Sequence, residues 1–224
     1  MMRRSKSNDD VTGCDDRRVT PAEFAQLSDR LRATGRRCVV GITGPPGAGK
    51  STLATYLAQS ISPAPPVVPM DGFHLAQDII EQNGLVGRKG SPETFDAWGF
   101  VKLVQRIARP ADDSVVYAPR YDHNVGEPIA GAIPIFPTDG LVIVEGNYLL
   151  LASQPWAQLS DLLKLCGYVE LDDAIRRWRL IDRHVQFGKA PQAAKSFVHS
   201  SDEKNAELVE TTKPRASFVV QMDQ

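Results

Sequence analysis

Three observations predict an α/β chain built in three layers, with a mainly parallel sheet flanked by helices. Strand-like and helix-like segments alternate, the strand cores are apolar on both faces, and one glycine-rich turn joins a buried strand to a helix. The 224 residues suffice for one well-packed domain. With 42% hydrophobic and 24% charged residues the composition is that of an ordinary globular protein. A formal net charge of −1 gives no reason to expect nucleic acid or an acidic membrane surface as partner. No apolar stretch approaches the ~18 residues of a membrane span, and no apolar segment of the secretory kind follows the basic start MMRRSKSNDDVTGCDDRR. Cys14, Cys38 and Cys166 form no C-x-x-C pair and read as free thiols in a reducing compartment, so a cytoplasmic protein is expected.

Residues 1–18 are polar and aperiodic, which predicts a disordered tail ahead of one domain over 19–224. Thr20, Pro21 and Glu23 spell a capping box at a helix start; Phe24, Leu27 and Leu31 follow at helical spacing, and Gly35 ends the helix. CVVGITG (38–44) predicts a central strand and STLATYLAQSI (51–61) the helix after it. VVPM predicts a second strand, with a helix around His74–Gln82 and another near Asp96–Ala108. SVVYAP is a short strand, and a Pro-rich section runs to residue 140. LVIVEGNYLLL holds a buried strand, with a helix around Trp156–Leu163. GYVEL is a strand, Asp172–Phe187 an Arg-rich helix, Pro191–Val209 a further helix and SFVVQ the last strand.

Gly44-Pro45-Pro46-Gly47-Ala48-Gly49-Lys50-Ser51 matches G-x-x-x-x-G-K-[ST], the spacing of a P-loop. Backbone N–H groups of such a loop converge on phosphate oxygens, and the following helix turns its positive end to the same anion. ATP is the expected ligand: Lys50 neutralises phosphate charge, Ser51 ligates Mg²⁺, and Thr52 follows in the first helical turn. A second acid at a strand end is expected in such a site, and LVIVEGNY supplies Glu145 as a Mg²⁺ ligand, direct or through water.

VVPMDGFHL places Asp71 where the second strand ends. If CVVGITG, VVPM and LVIVE are parallel neighbours, then Ser51, Asp71 and Glu145 meet in one crevice beyond the strand ends. Asp71 is then positioned as general base for a hydroxyl attacking a γ-phosphate. A helix cap, or a water-mediated Mg²⁺ ligand, are the other roles open to it.

GITGPPGAGKST, VVPMDGFHL, RKGSPETFD, YAPRYDH, VIVEGNYLLL, RLIDRHVQFGKAPQAA and NAELV, in that order, resemble the phosphoribulokinase/uridine kinase/pantothenate kinase family from residue 38 to about 220. Within that family the likeness is greatest to bacterial nucleoside/nucleotide kinase-like and fructose-transport-system kinase-like proteins. The resemblance implies a P-loop kinase fold and ATP-dependent phosphorylation of a small alcohol. It supports Asp71 as base and Lys50 and Ser51 as phosphate and Mg²⁺ ligands. It also implies an Arg-rich lid around 176–195, in which Arg179 and Arg183 match lid arginines that close over phosphates. Arg176 and Arg177 read as a solvated helix face. Asn205 matches a family position near the adenine side of the site.

For the acceptor pocket the sequence offers Phe73 and His74, the basic pair Arg88 and Lys89, Asp96, Tyr121 and His123 in RYDH, and Tyr148 in EGNYLLL. Arg88 and Lys89 suit an anionic group, and Asp96 either bonds a substrate hydroxyl or caps the helix it begins. The small-molecule acceptor itself is not readable. Two other readings stay open: a nucleotide-binding regulatory or transport-accessory ATPase, and a nucleoside monophosphate kinase. A monomer and a homodimer are both compatible with the sequence.

Overall fold

The computed structural model describes residues 17–35 and 37–222. Six strands form one sheet: β1 (Arg18–Val19), β2 (Cys38–Thr43), β3 (Val67–Pro69), β6 (Leu141–Glu145), β7 (Leu165–Glu170) and β8 (Phe218–Gln221). Their order is β1-β8-β7-β2-β6-β3, parallel at every pairing. β4 (Val116–Asp122) and β5 (Glu127–Ile135) form a separate antiparallel hairpin.

The period-two alternation of β2 divides the interior into two cores. Cys38, Val40 and Ile42 pack on one face with Phe24 of α1 (Pro21–Arg30) and Leu53 and Leu57 of α2 (Lys50–Ser60). Val39 packs on the other face with Phe100, Val104 and Ile107 of α4 (Ala97–Ala108), which follows the short helix α3 (Gln77–Gln82). Helices cover both faces, giving the three layers the sequence predicts. At the start of α1, Thr20 accepts from the Glu23 backbone N–H, and Glu23 accepts from that of Thr20. A cap of this kind contributes about 1 kcal/mol.

Several elements depart from expectation. Residues 1–16 of the expected tail lie outside the described residues, but Arg18 belongs to β1 and pairs with Glu170 of β7. The helix expected from His74 begins at Gln77. A 3₁₀ turn at Met70–Phe73 precedes it, and His74 bridges to Phe95. The Pro-rich section contains β5, because Pro128 and Pro134 sit in a two-stranded hairpin where not every N–H is required for a ladder. The helix expected around Trp156–Leu163 is a 3₁₀ segment, Trp156–Asp161. The Arg-rich helix is α5 (Asp173–Gln186), capped by Asp172. The segment after it is α6 (Pro191–Phe197) and α7 (Glu203–Glu210), separated by a π turn at Val198–Asp202.

Candidate active site

The site lies at the carboxyl ends of β2, β6 and β3, three adjacent strands, which is where parallel sheets collect ligands. β2 runs into the loop 44–49 and then α2. Gly47 adopts a left-handed φ of 79°, and a Cβ there would meet Leu180 Cγ at 2.7 Å and Arg176 O at 2.9 Å. The loop therefore packs directly against α5. Such a backbone, leading into a helix amino end, is a fitting cradle for phosphate. Lys50 donates to Pro45 O at 3.0 Å, and Ser51 Oγ donates to Glu145 Oε1 at 3.1 Å.

Burial lowers the Lys50 pKa to about 8 against the opposing pull of Glu145 and Asp71. Glu145 is pushed up to about 7, chiefly by burial and next by the charge of Asp71. Carboxylates and ammonium are thus close enough to act on one another in a poorly solvated crevice. Among the described residues no cluster of three or more His, Cys, Asp or Glu side chains could hold a metal. One carboxylate and one hydroxyl, Glu145 and Ser51, suit a hard cation such as Mg²⁺, which takes most of its ligands from water and phosphate.

Asp71 lies where two cavities meet. The smaller, about 280 Å³, is also lined by Ser51, Glu145 and Arg120. The larger, about 430 Å³, is also lined by His74, Lys89, Asn147, Arg183 and Asn205. Tyr121 and His123 of the hairpin border both. His74 Nδ1 lies 3.0 Å from Asp71 O, and the ring is tilted on Phe95 with centroids 4.0 Å apart. Burial pushes the His74 pKa down from the ordinary histidine value, against the opposing pull of Asp71.

The spacing of the two carboxylates has a visible cause. Gly146 follows Glu145, Met70 precedes Asp71, and a Cβ on Gly146 would sit 2.5 Å from Met70 Cβ. Only a glycine lets the ends of β6 and β3 approach so closely.

Not every expected residue reaches the site. Phe73 packs on Phe100 with centroids 5.3 Å apart. Arg88 is paired with exposed Glu93 and does not line the cavity that Lys89 lines. Asp96 accepts from the Gly99 N–H at 2.8 Å as the cap of α4 and faces a different cavity, with Trp98 and Trp156. Tyr148 is fully buried, and its hydroxyl donates to Gly90 O at 2.5 Å. None of these four lines either cavity that Asp71 borders. Thr52 is exposed in the first turn of α2.

Asn205 lines the large cavity beside Lys89 and His74. It is 5% exposed, and its Nδ2 has no hydrogen-bond partner. A buried unpaired donor costs roughly 1–3 kcal/mol.

α5 carries the arginines. Arg183 lines the large cavity, and Arg179 Nη1 lies beside Gly49, 3.9 Å from where a Cβ would be. Arg176 is not solvated: it is 1% exposed and bonds Asp173, Glu203 and Pro46 O of the loop. Arg177 is partly exposed and shares Glu203 and Asp173. Two partners of Arg176 lie 27 and 130 positions away, so helical spacing alone could not expose its role. Asn147, and the pair His184–Asp202 with Nε2 and Oδ2 2.9 Å apart, are further lining residues that the sequence did not signal.

Residues 39–223 match the model of the phosphoribulokinase/uridine kinase family. The chain belongs to that family. It is 36% identical over 192 residues to the uncharacterized protein YggC of Escherichia coli, covering 84% of this chain and 78% of that protein. It is 35% identical over 162 residues to a candidate uridine kinase of Schizosaccharomyces pombe, covering 68% of each. Its fold superposes with a TM-score of 0.81 on a candidate fructose transport system kinase from Silicibacter sp. TM1040. That protein is 34% identical, and the match covers 92% of this chain and all of the other. As a member of the phosphoribulokinase/uridine kinase family the chain has a P-loop kinase fold. Among the described residues no helix is long and apolar enough to cross a membrane.

Proposed function

We propose that this chain is an ATP-dependent kinase that moves the γ-phosphate of Mg·ATP to a hydroxyl of a small molecule, with Asp71 as general base. One observation carries the reading. Asp71 borders both the cavity it shares with Ser51 and Glu145 and the larger cavity beyond. A phosphate on the loop and an alcohol in the large cavity would then meet at one carboxylate.

In this reading the backbone of Gly44, Pro45, Pro46, Gly47, Ala48 and Gly49 binds phosphate oxygens and Lys50 neutralises their charge. Ser51 and Glu145 would hold Mg²⁺, which would supply positive charge against the phosphates. Asp71 takes the proton from the attacking hydroxyl. Arg183 lines the large cavity and Arg179 lies beside the loop, so both guanidiniums would oppose charge that develops during transfer. Closure of the segment around 176–195 would exclude water before transfer. His74, Tyr121 and His123 form the aromatic wall against which the acceptor is oriented.

The test is ADP release measured with and without added alcohols: sugars, nucleosides, pantothenate, glycerate and nucleoside monophosphates. The expected result is ADP formation that depends on one acceptor class and is abolished in Lys50→Ala. ATP loss at the same rate whatever is added would overturn the kinase reading in favour of a regulatory or transport-accessory ATPase.

A further inference from the structure

The large cavity offers more hydrogen-bond donors than the groups around it use. Asn205 lines the cavity, and its side-chain Nδ2 is buried just behind the wall without a hydrogen-bond partner. Lys89 Nζ bonds only the neutral Oε1 of Gln77, at 2.9 Å, and lies 5.7 Å from the centre of the Tyr121 ring. Neither it nor Lys189, whose ammonium sits 4.9 Å over Phe197, is paired with a carboxylate. Of the two carboxylates that line the cavity, Asp202 is engaged by His184, and Asp71 stands at the reacting end.

Lys89 and Asn205 come from distant parts of the chain yet are held together. The next residue, Gly90, is fixed by the hydroxyl of Tyr148, and a Cβ on it would lie 3.7 Å from Asn205 Nδ2. Asn205 is delivered by the helix that follows the π turn at Val198–Asp202. One extra residue in a helix turns everything after it through part of a revolution, and such turns are frequent at functional sites. Asp202 at the end of the turn and Asn205 one turn on both reach the cavity.

We infer that the molecule bound in this cavity carries an anionic group, a carboxylate or a phosphate ester, held by Asn205 Nδ2 and Lys89 Nζ, in addition to the hydroxyl offered to Asp71. The inference deepens the acceptor reading and rests on it. An anion satisfies the buried amide and the unpaired ammonium together, and charge-assisted bonds to oxygen are the stronger kind. An uncharged polyol would leave the ammonium without a counter-charge.

The experiment is calorimetric titration of the Mg·ADP-saturated protein with paired probes: glycerate against glycerol, gluconate against glucitol, and ribose 5-phosphate against ribose. At least one anion is expected to bind ten-fold or more tightly than its uncharged counterpart, and the carboxylate and phosphate arms tell which group is held. Asn205→Asp, nearly isosteric but charged, and Lys89→Gln should each reduce that preference at least ten-fold. ADP affinity should stay within two-fold, which also reports that the variants are folded. The inference is overturned if no anion outbinds its counterpart or if the preference survives both substitutions. A parallel loss of ADP affinity in Asn205→Asp would return that residue to the nucleotide and equally overturn it. Binding is read apart from turnover: anion preference without acceptor-dependent ADP release would defeat the kinase reading alone.

Discussion

Ser51 Oγ donates to Glu145 Oε1 over 3.1 Å, tying the first turn of α2 to the end of β6 across 94 positions of sequence. Because burial and Asp71 raise the Glu145 pKa to about 7, protons compete with a metal for this oxygen near neutrality. The Mg²⁺ concentration for half-maximal ADP formation should therefore rise as pH falls from 8 to 6. In Glu145→Gln it should be high and insensitive to pH. A Mg²⁺ titration at each pH checks this.

The same shift has a consequence for stability of the nucleotide-free protein. Between the ordinary carboxylate value and about 7, folded Glu145 holds a proton that the unfolded chain has released. Stability from this group is thus present at low pH and lost as pH rises through that window. Thermal unfolding of wild type and Glu145→Gln from pH 5 to 7.5 should show the wild type losing ground to the variant as pH rises.

Asp71→Asn keeps the shape of the side chain and removes the base. On the proposed mechanism kcat falls roughly 10²–10⁴-fold while ATP affinity stays within a few-fold. Loss of Mg·ATP binding with turnover intact at saturation would make Asp71 a metal-side residue instead.

Arg183→Ala removes a guanidinium that lines the large cavity and whose charge is felt at Lys50. A drop in kcat of roughly 10²–10³-fold with little change in ATP affinity is expected, the worth of one positioned donor in a transition state. An unchanged rate would leave Arg183 as a surface charge.

Arg176 and Arg177 are adjacent but should behave oppositely. Arg176→Met strips a buried guanidinium from Glu203, Asp173 and the loop carbonyl of Pro46, at a cost of about 3 kcal/mol. Arg177→Ala, partly exposed, should cost under about 1 kcal/mol. Urea unfolding of both variants decides the comparison.

The fold was legible wherever local chemistry and tertiary role coincide. Cys38–Thr43 is buried on both faces, as its β-branched run implies, and the spacing of Gly44 to Ser51 has few other uses. The capping box at Thr20 is likewise local and was readable as such. What stayed hidden depends on partners far along the chain. β1 is two residues that become a strand only by pairing with β8. β5 hides behind Pro128 and Pro134, which argue against a strand until a hairpin partner is known. Arg176 needs Glu203 to be recognised as buried, and Asn205 needs the π turn to face the large cavity. Asp96 could have capped or bound, and nothing short of the Gly99 bond distinguishes the two.

The contact between Gly146 and Met70 makes an absent side chain into a measuring gauge. The missing Cβ fixes how far Glu145 stands from Asp71, with a 2.5 Å clash awaiting any alanine. Neither carboxylate would be touched by Gly146→Ala, yet the interval between them would widen. The two halves of the site should then each keep their own ligand while losing step with one another: ADP and acceptor affinities near normal, kcat reduced. On the proposed mechanism, a residue with no functional group would then keep the two ends of the reaction in register.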